Sequence, residues 1–86
     1  MNYKPTILTS VESLTVQHQA VLSGIKKGKS YKQIAEMVGK AKSMIFLYVN
    51  ELEKFGAVKR LGLKTGMKRA VILTEKGEEI CSKLNL

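Results

Sequence analysis

At Gly56 the hydrophobic period of this sequence changes, and that change limits the folds open to the chain more than any other feature. Upstream, Ile45, Val49, Leu52 and Phe55 recur at i, i+4, i+7 and i+10, the spacing of one helix face. Downstream, AVKRLGL (57–63) and KRAVILT (68–74) are β-rich runs around Lys64-Thr65-Gly66-Met67, the pattern of a hairpin. The run MIFLYV (44–49) taken alone reads as a buried strand, with Ile45, Leu47 and Val49 on one face. A strand does not account for Leu52 and Phe55, and a helix does. Glu51, Glu53 and Lys54 are good helix formers, and Gly56 supplies the stop. The spacing therefore predicts a helix from about Lys42 to Phe55. Lys42, Ser43, Met44, Phe46, Leu47 and Asn50 fall on or near its outer side.

Two further helices precede it. One starts near Leu14 or Thr15, capped by Thr15, carries His18, Val21, Leu22 and Ile25 on one stripe, and ends at Gly28. Lys26 and Lys27 in its last turn suit the helix dipole. The second opens on Ser30 and Gln33 at capping-box spacing, buries Tyr31, Ile34, Ala35 and Val38, and closes at Gly39. Small Ala35 would let another helix come close. After the hairpin, Thr74 caps a last helix with Gly77, Ile80, Cys81 and Leu84 inward and three glutamates in its first turns. The lead-in has Pro5 and a weak capping-box pair, Thr9 with Glu12. With 86 residues, this is one domain with one modest core. It divides into an arm (1–13), three helices (14–56), a hairpin (57–73) and a final helix (74–86).

Fifteen Lys and Arg against seven Asp and Glu give a net charge of +8, and their placement says more than the sum. No acidic residue lies between Glu12 and Glu36, or between Glu53 and Glu75, whereas Glu75, Glu78 and Glu79 cluster near the end. Such segregation makes one basic face, suited to a polyanion. No apolar run approaches the roughly 20 residues of a membrane span, and MNYKPTILTS lacks the apolar stretch of a secretory signal. A cytoplasmic protein without a membrane partner is expected. One cysteine and one histidine exclude an internal disulfide, a CxxC pair and a cysteine-based zinc site. They also leave no nucleophile–base constellation, so neither an enzyme nor a bound metal or cofactor is expected. His18 reads as a packed side chain of the inner stripe.

Three helices followed by a two-stranded hairpin, mainly α with a small β element, is the plan of a winged helix-turn-helix. SYKQIAEMVGKAKSMIFLYVNELEKFGAVKR (30–60) resembles the segment by which regulators of the MarR and ArsR type read DNA. The matching features are Ile34-Ala35, Gly39 four residues after the alanine, Lys42-Ser43, Leu52-Glu53 and Gly56-Ala57-Val58. LTEKGEEI (73–80) is similar to the stretch by which such domains leave the wing. LTVQHQAVLSGIKKGKSYKQIA (14–35) also resembles LuxR-type domains, but those lack a wing. Two positions depart from the pattern: Lys40 stands where a buried apolar residue is usual, and Ala41, which cannot cap, where a serine often does.

The resemblance implies a homodimeric transcriptional regulator that binds double-stranded DNA. Helix 42–55 would enter the major groove, about 12 Å wide, with Lys40, Lys42, Ser43 and Asn50 near bases or phosphates. Met44, Phe46 and Leu47 would meet thymine methyl groups, favouring sites that contain A·T pairs. Lys64, Lys68 and Arg69 on the wing would reach the backbone or minor groove, and Lys26, Lys27, Lys29 and Lys32 the flanking phosphates. Phe46 and Leu47 could instead pack on the arm or on a second subunit, or serve a winged-helix module that holds a protein within a larger complex. Cys81 is either a reduced, half-buried core side chain or a disulfide across a two-fold axis. In the second case Ile80, Cys81 and Leu84 would be dimer contacts.

Overall fold

The computed structural model describes residues 11–61 and 70–86. A 3-10 turn, Val11–Ser13, leads into α1 (Val16–Lys26), α2 (Tyr31–Val38) and α3 (Lys42–Phe55). Strands β1 (Val58–Leu61) and β2 (Ala70–Leu73) pair antiparallel, Val58 opposite Leu73 and Leu61 opposite Ala70, and α4 (Glu75–Leu84) follows. The arm up to Ser10, with Pro5 and Thr9, and the expected hairpin tip, with Lys64, Lys68 and Arg69, lie outside the described residues.

The helix ends follow from local chemistry. Thr15 Oγ1 accepts from the His18 amide at 3.2 Å, while His18 Nδ1 accepts from the Thr15 amide at 3.3 Å, a capping box with an imidazole in the usual Glu/Gln place. Ser30 and Gln33 form the expected box, at 2.9 and 3.2 Å. Gly39 and Gly56 end α2 and α3 at φ +74° and +93°, a left-handed backbone that glycine adopts without a Cβ penalty. Ala41 is the N-cap of α3 and makes no side-chain cap bond. The first strand begins one residue later than the β-rich run suggests. Ala57 is fully buried, and its carbonyl accepts from the Thr74 amide at 3.0 Å rather than joining the ladder.

One core unites the elements. Val21, Leu22, Ile34, Ile45, Val49 and Leu52 are closed to solvent, with Val58, Ile80 and Cys81 nearly so. A close helix approach occurs at Gly24 of α1, where a Cβ would lie 2.6 Å from Ile34 Cγ1. A tighter one joins α4 to the wing base, where a Cβ on Gly77 would lie 2.0 Å from the Ala57 carbonyl oxygen. Among the described residues the buried polar side chains are a single pair. His18 Nε2 and Glu51 Oε1 are 2.6 Å apart, the histidine 0% and the glutamate 7% exposed, and Tyr48 sets its ring edge-on to the imidazole at 5.1 Å. His18 Nδ1 also lies 2.6 Å from Thr15 Oγ1, so both ring nitrogens have partners.

Two expectations need correction. Met44, expected on or near the outer side, is half-buried: it shares a stripe with Tyr48 and Glu51 at i, i+4 and i+7 and packs against the core. Ile80 and Cys81 are not free to contact a second subunit, because both are buried in this chain's own core, where Leu84 also packs. Cys81 is therefore a reduced core side chain, and an intersubunit disulfide through it has no access. Burial pushes its thiol above the ordinary pKa; Lys26 pulls it down and Glu78 adds to the rise.

Two measurements check this packing. Gly77→Ala forces α4 off a backbone carbonyl and should cost about 1–3 kcal/mol in urea unfolding. Gly24→Ala meets a side chain that can shift, and should cost less. For Cys81, the unfolded thiol ionises from roughly pH 8.5 upward while the folded one keeps its proton. Stability from this group is thus complete below that pH and falls as pH rises towards the folded pKa. Urea midpoints of Cys81→Ala should lack that fall.

Candidate nucleic-acid interface

With Ile45, Val49 and Leu52 fixed inward, helical geometry turns Ser43, Phe46, Leu47, Asn50 and Lys54 to the other side. Ser43, Phe46 and Lys54 are exposed, and Leu47 and Asn50 are half-buried. Lys40 and Lys42 are exposed at the start of the helix, and Lys32 is exposed in the first turn of α2. Lys27 and Lys29 are exposed on the α1–α2 connection. Lys26, though exposed, donates to the Leu86 carbonyl oxygen at 2.6 Å and so is partly occupied by the chain itself.

The organising residue of this face is Arg60, which the sequence reading did not single out. Strand alternation puts it on the same face as buried Val58, turned to α3, while Lys59 and Leu61 face solvent. Its guanidinium donates from Nη2 to Asn50 Oδ1 and from Nη1 to Glu53 Oε1 at 3.2 Å. The same group lies over the Phe46 ring, 4.7 Å from its centroid. From α2, Tyr31 meets that ring edge-on at 6.3 Å. Phe46 thus remains 46% exposed yet is held from two sides. The alternation of β1 was the available signal for Arg60, since it places residue 60 with Val58.

The electrostatic consequence concerns the two glutamates of α3. Glu51 is turned inside against His18, and Glu53 is paired with Arg60. The outer stripe is left with Lys54, two apolar side chains and the polar groups of Ser43 and Asn50. The described residues hold no group of three or more His, Cys, Asp or Glu arranged for a metal ion, and no helix among them is long and apolar enough to cross a membrane.

No protein-family profile matches the chain, and no curated protein does. Among solved structures it is similar to RV1404 from Mycobacterium tuberculosis, with a TM-score of 0.74 and 18% identity over 86% of this chain and 52% of that one. It is also similar to the PcaV transcriptional regulator from Streptomyces coelicolor, solved with its natural ligand, with a TM-score of 0.70 and 23% identity over 93% and 57%. The chain spans just over half the length of these two structures. At such identities the likeness is one of fold: α2 and α3 are the helix-turn-helix, β1 and β2 the wing, and the architecture is a winged helix-turn-helix.

Proposed function

We propose that this protein binds double-stranded DNA sequence-specifically as a small homodimeric transcriptional regulator, α3 entering the major groove and the wing lying along the backbone or minor groove. The observation that carries the reading is the outer side of α3. Exposed Lys40 precedes the helix and exposed Lys42 and Ser43 open it, and both of its carboxylates are already engaged with partners in the fold. A polyanion approaching that face meets lysines and donors rather than unpaired acid. Lys27, Lys29 and Lys32 would add flanking phosphate contacts, and Lys64, Lys68 and Arg69 would act from the wing. A single helix of this length covers one half-site, so a two-fold pair of copies would double the sequence read. Its contacts would have to come from residues other than the buried α4 stripe.

The exposed ring of Phe46 favours one rival, a docking face for a protein within a larger complex. Salt separates the two, since counterion release weakens DNA binding steeply while an apolar contact persists. Fluorescence anisotropy on a pool of random duplexes should show affinity falling roughly a hundredfold between about 50 and 200 mM salt, as for about four neutralised phosphates. Lys42→Ala and Arg69→Ala should each weaken binding and flatten that slope by about one phosphate's worth. Wild-type binding by both variants would refute the assignment of these contacts.

A further inference from the structure

Arginine carries only donors, so the Asn50 side-chain atom that meets its guanidinium must be the oxygen. That settles which way the amide faces. Oδ1 is spent on Arg60, and the Nδ2 group, with its two protons, is left as the reading end of the side chain. An asparagine free to turn can pair an oxygen and an amino group with adenine; one held in this way offers donors alone. One turn earlier on the same stripe stands Phe46, whose ring Arg60 and Tyr31 hold in place. A donor beside a fixed apolar surface is complementary to one base edge in the major groove, that of thymine, where the O4 acceptor adjoins the C5 methyl. Cytosine presents a donor and no methyl, guanine two acceptors and no methyl, and adenine a donor beside its acceptor.

Resting on the reading of α3 as a major-groove helix, we propose that Phe46 and Asn50 together read a thymine, and that Arg60 is the positioning residue that makes Asn50 a donor-only group. Arg60 acts at the root of the wing without touching the base itself. Specificity is therefore set in part by a strand residue behind the reading helix.

The test uses the full chain and two edits of the base. A preferred duplex is first selected from the random pool. Each thymine is then replaced singly by uracil, which deletes the methyl, or by 5-methylcytosine, which keeps the methyl and turns the acceptor into a donor. At one thymine per half-site, wild type should lose about fourfold affinity for uracil, the worth of one buried methyl group. The loss for 5-methylcytosine should be roughly tenfold or more. Phe46→Ala should abolish the uracil penalty at that position and keep the other. Asn50→Asp still accepts from Arg60 but has no donor, so its preference between thymine and 5-methylcytosine should reverse. Arg60→Leu releases the amide and should erase that preference, while Arg60→Lys, which still donates, should retain part of it. A selected motif with no thymine showing these paired responses, or responses unchanged in Asn50→Asp, would overturn the proposal and leave DNA reading by this face intact. Failure to retain any duplex at low salt would overturn both.

Discussion

The molecule depends on a single helix having two different sides. In a chain of 86 residues α3 must supply the middle of the core, and it also carries the outer side that we propose meets DNA. Ile45, Val49 and Leu52 are closed to solvent, and burying side chains of that size is worth about 1.5–3 kcal/mol each. Rotating α3 by even one residue step would bring part of that stripe to water. The angle at which Ser43, Phe46, Leu47 and Asn50 stand is therefore set by apolar burial on the opposite side, not by contacts of their own.

The two glutamates show how polar chemistry is fitted around that constraint. Glu51 falls on the flank of the inner stripe and meets His18, whose other nitrogen faces Thr15 at the start of α1. One imidazole thus links a helix cap to the central helix. Every buried side-chain nitrogen and oxygen among the described residues has a partner, which is the condition under which a polar pair is tolerated in a core. Glu53 falls on the flank of the outer stripe, where Arg60 reaches it from β1. That pair is part-exposed and of small energetic weight. Its effect is on where charge points rather than on how firmly the chain folds.

Much of this was legible in the sequence because it is local. The caps at Thr15, Ser30 and Thr74, the left-handed stops at Gly39 and Gly56, and the bounds of α3 each rest on residues within a turn of one another. What escaped depends on distant parts of the chain. His18 and Glu51 are 33 positions apart, and each read separately as unremarkable, one as a packed side chain of an inner stripe and one as a good helix former. Gly24 and Gly77 matter only through Ile34 and Ala57, which the fold brings against them. Ile80 and Cys81 were correctly placed on an inner stripe, but sequence does not say whether such a stripe meets its own chain or another. Of the candidate site, the outer residues of α3 could be picked out by helical spacing. The fixing of Phe46 and Asn50 could not, because it comes from a strand and a neighbouring helix.

The first turn of α4 also has a mechanical meaning. The Lys76 ammonium sits 4.0 Å from the centre of the Phe55 ring and donates to the Phe55 carbonyl at 2.8 Å. Thr74 holds the Gly56 and Ala57 carbonyls, and Gly77 leaves no room between helix and backbone. Three successive carbonyls at the exit of α3 are thus held by two residues, Thr74 and Lys76, with Gly77 packed against the last of them. Such a joint ties the start of α4 to the end of α3 by three hydrogen bonds and a close backbone contact. The orientation of α3, and with it of the outer side proposed to read DNA, is therefore tied to the packing of the C-terminal helix.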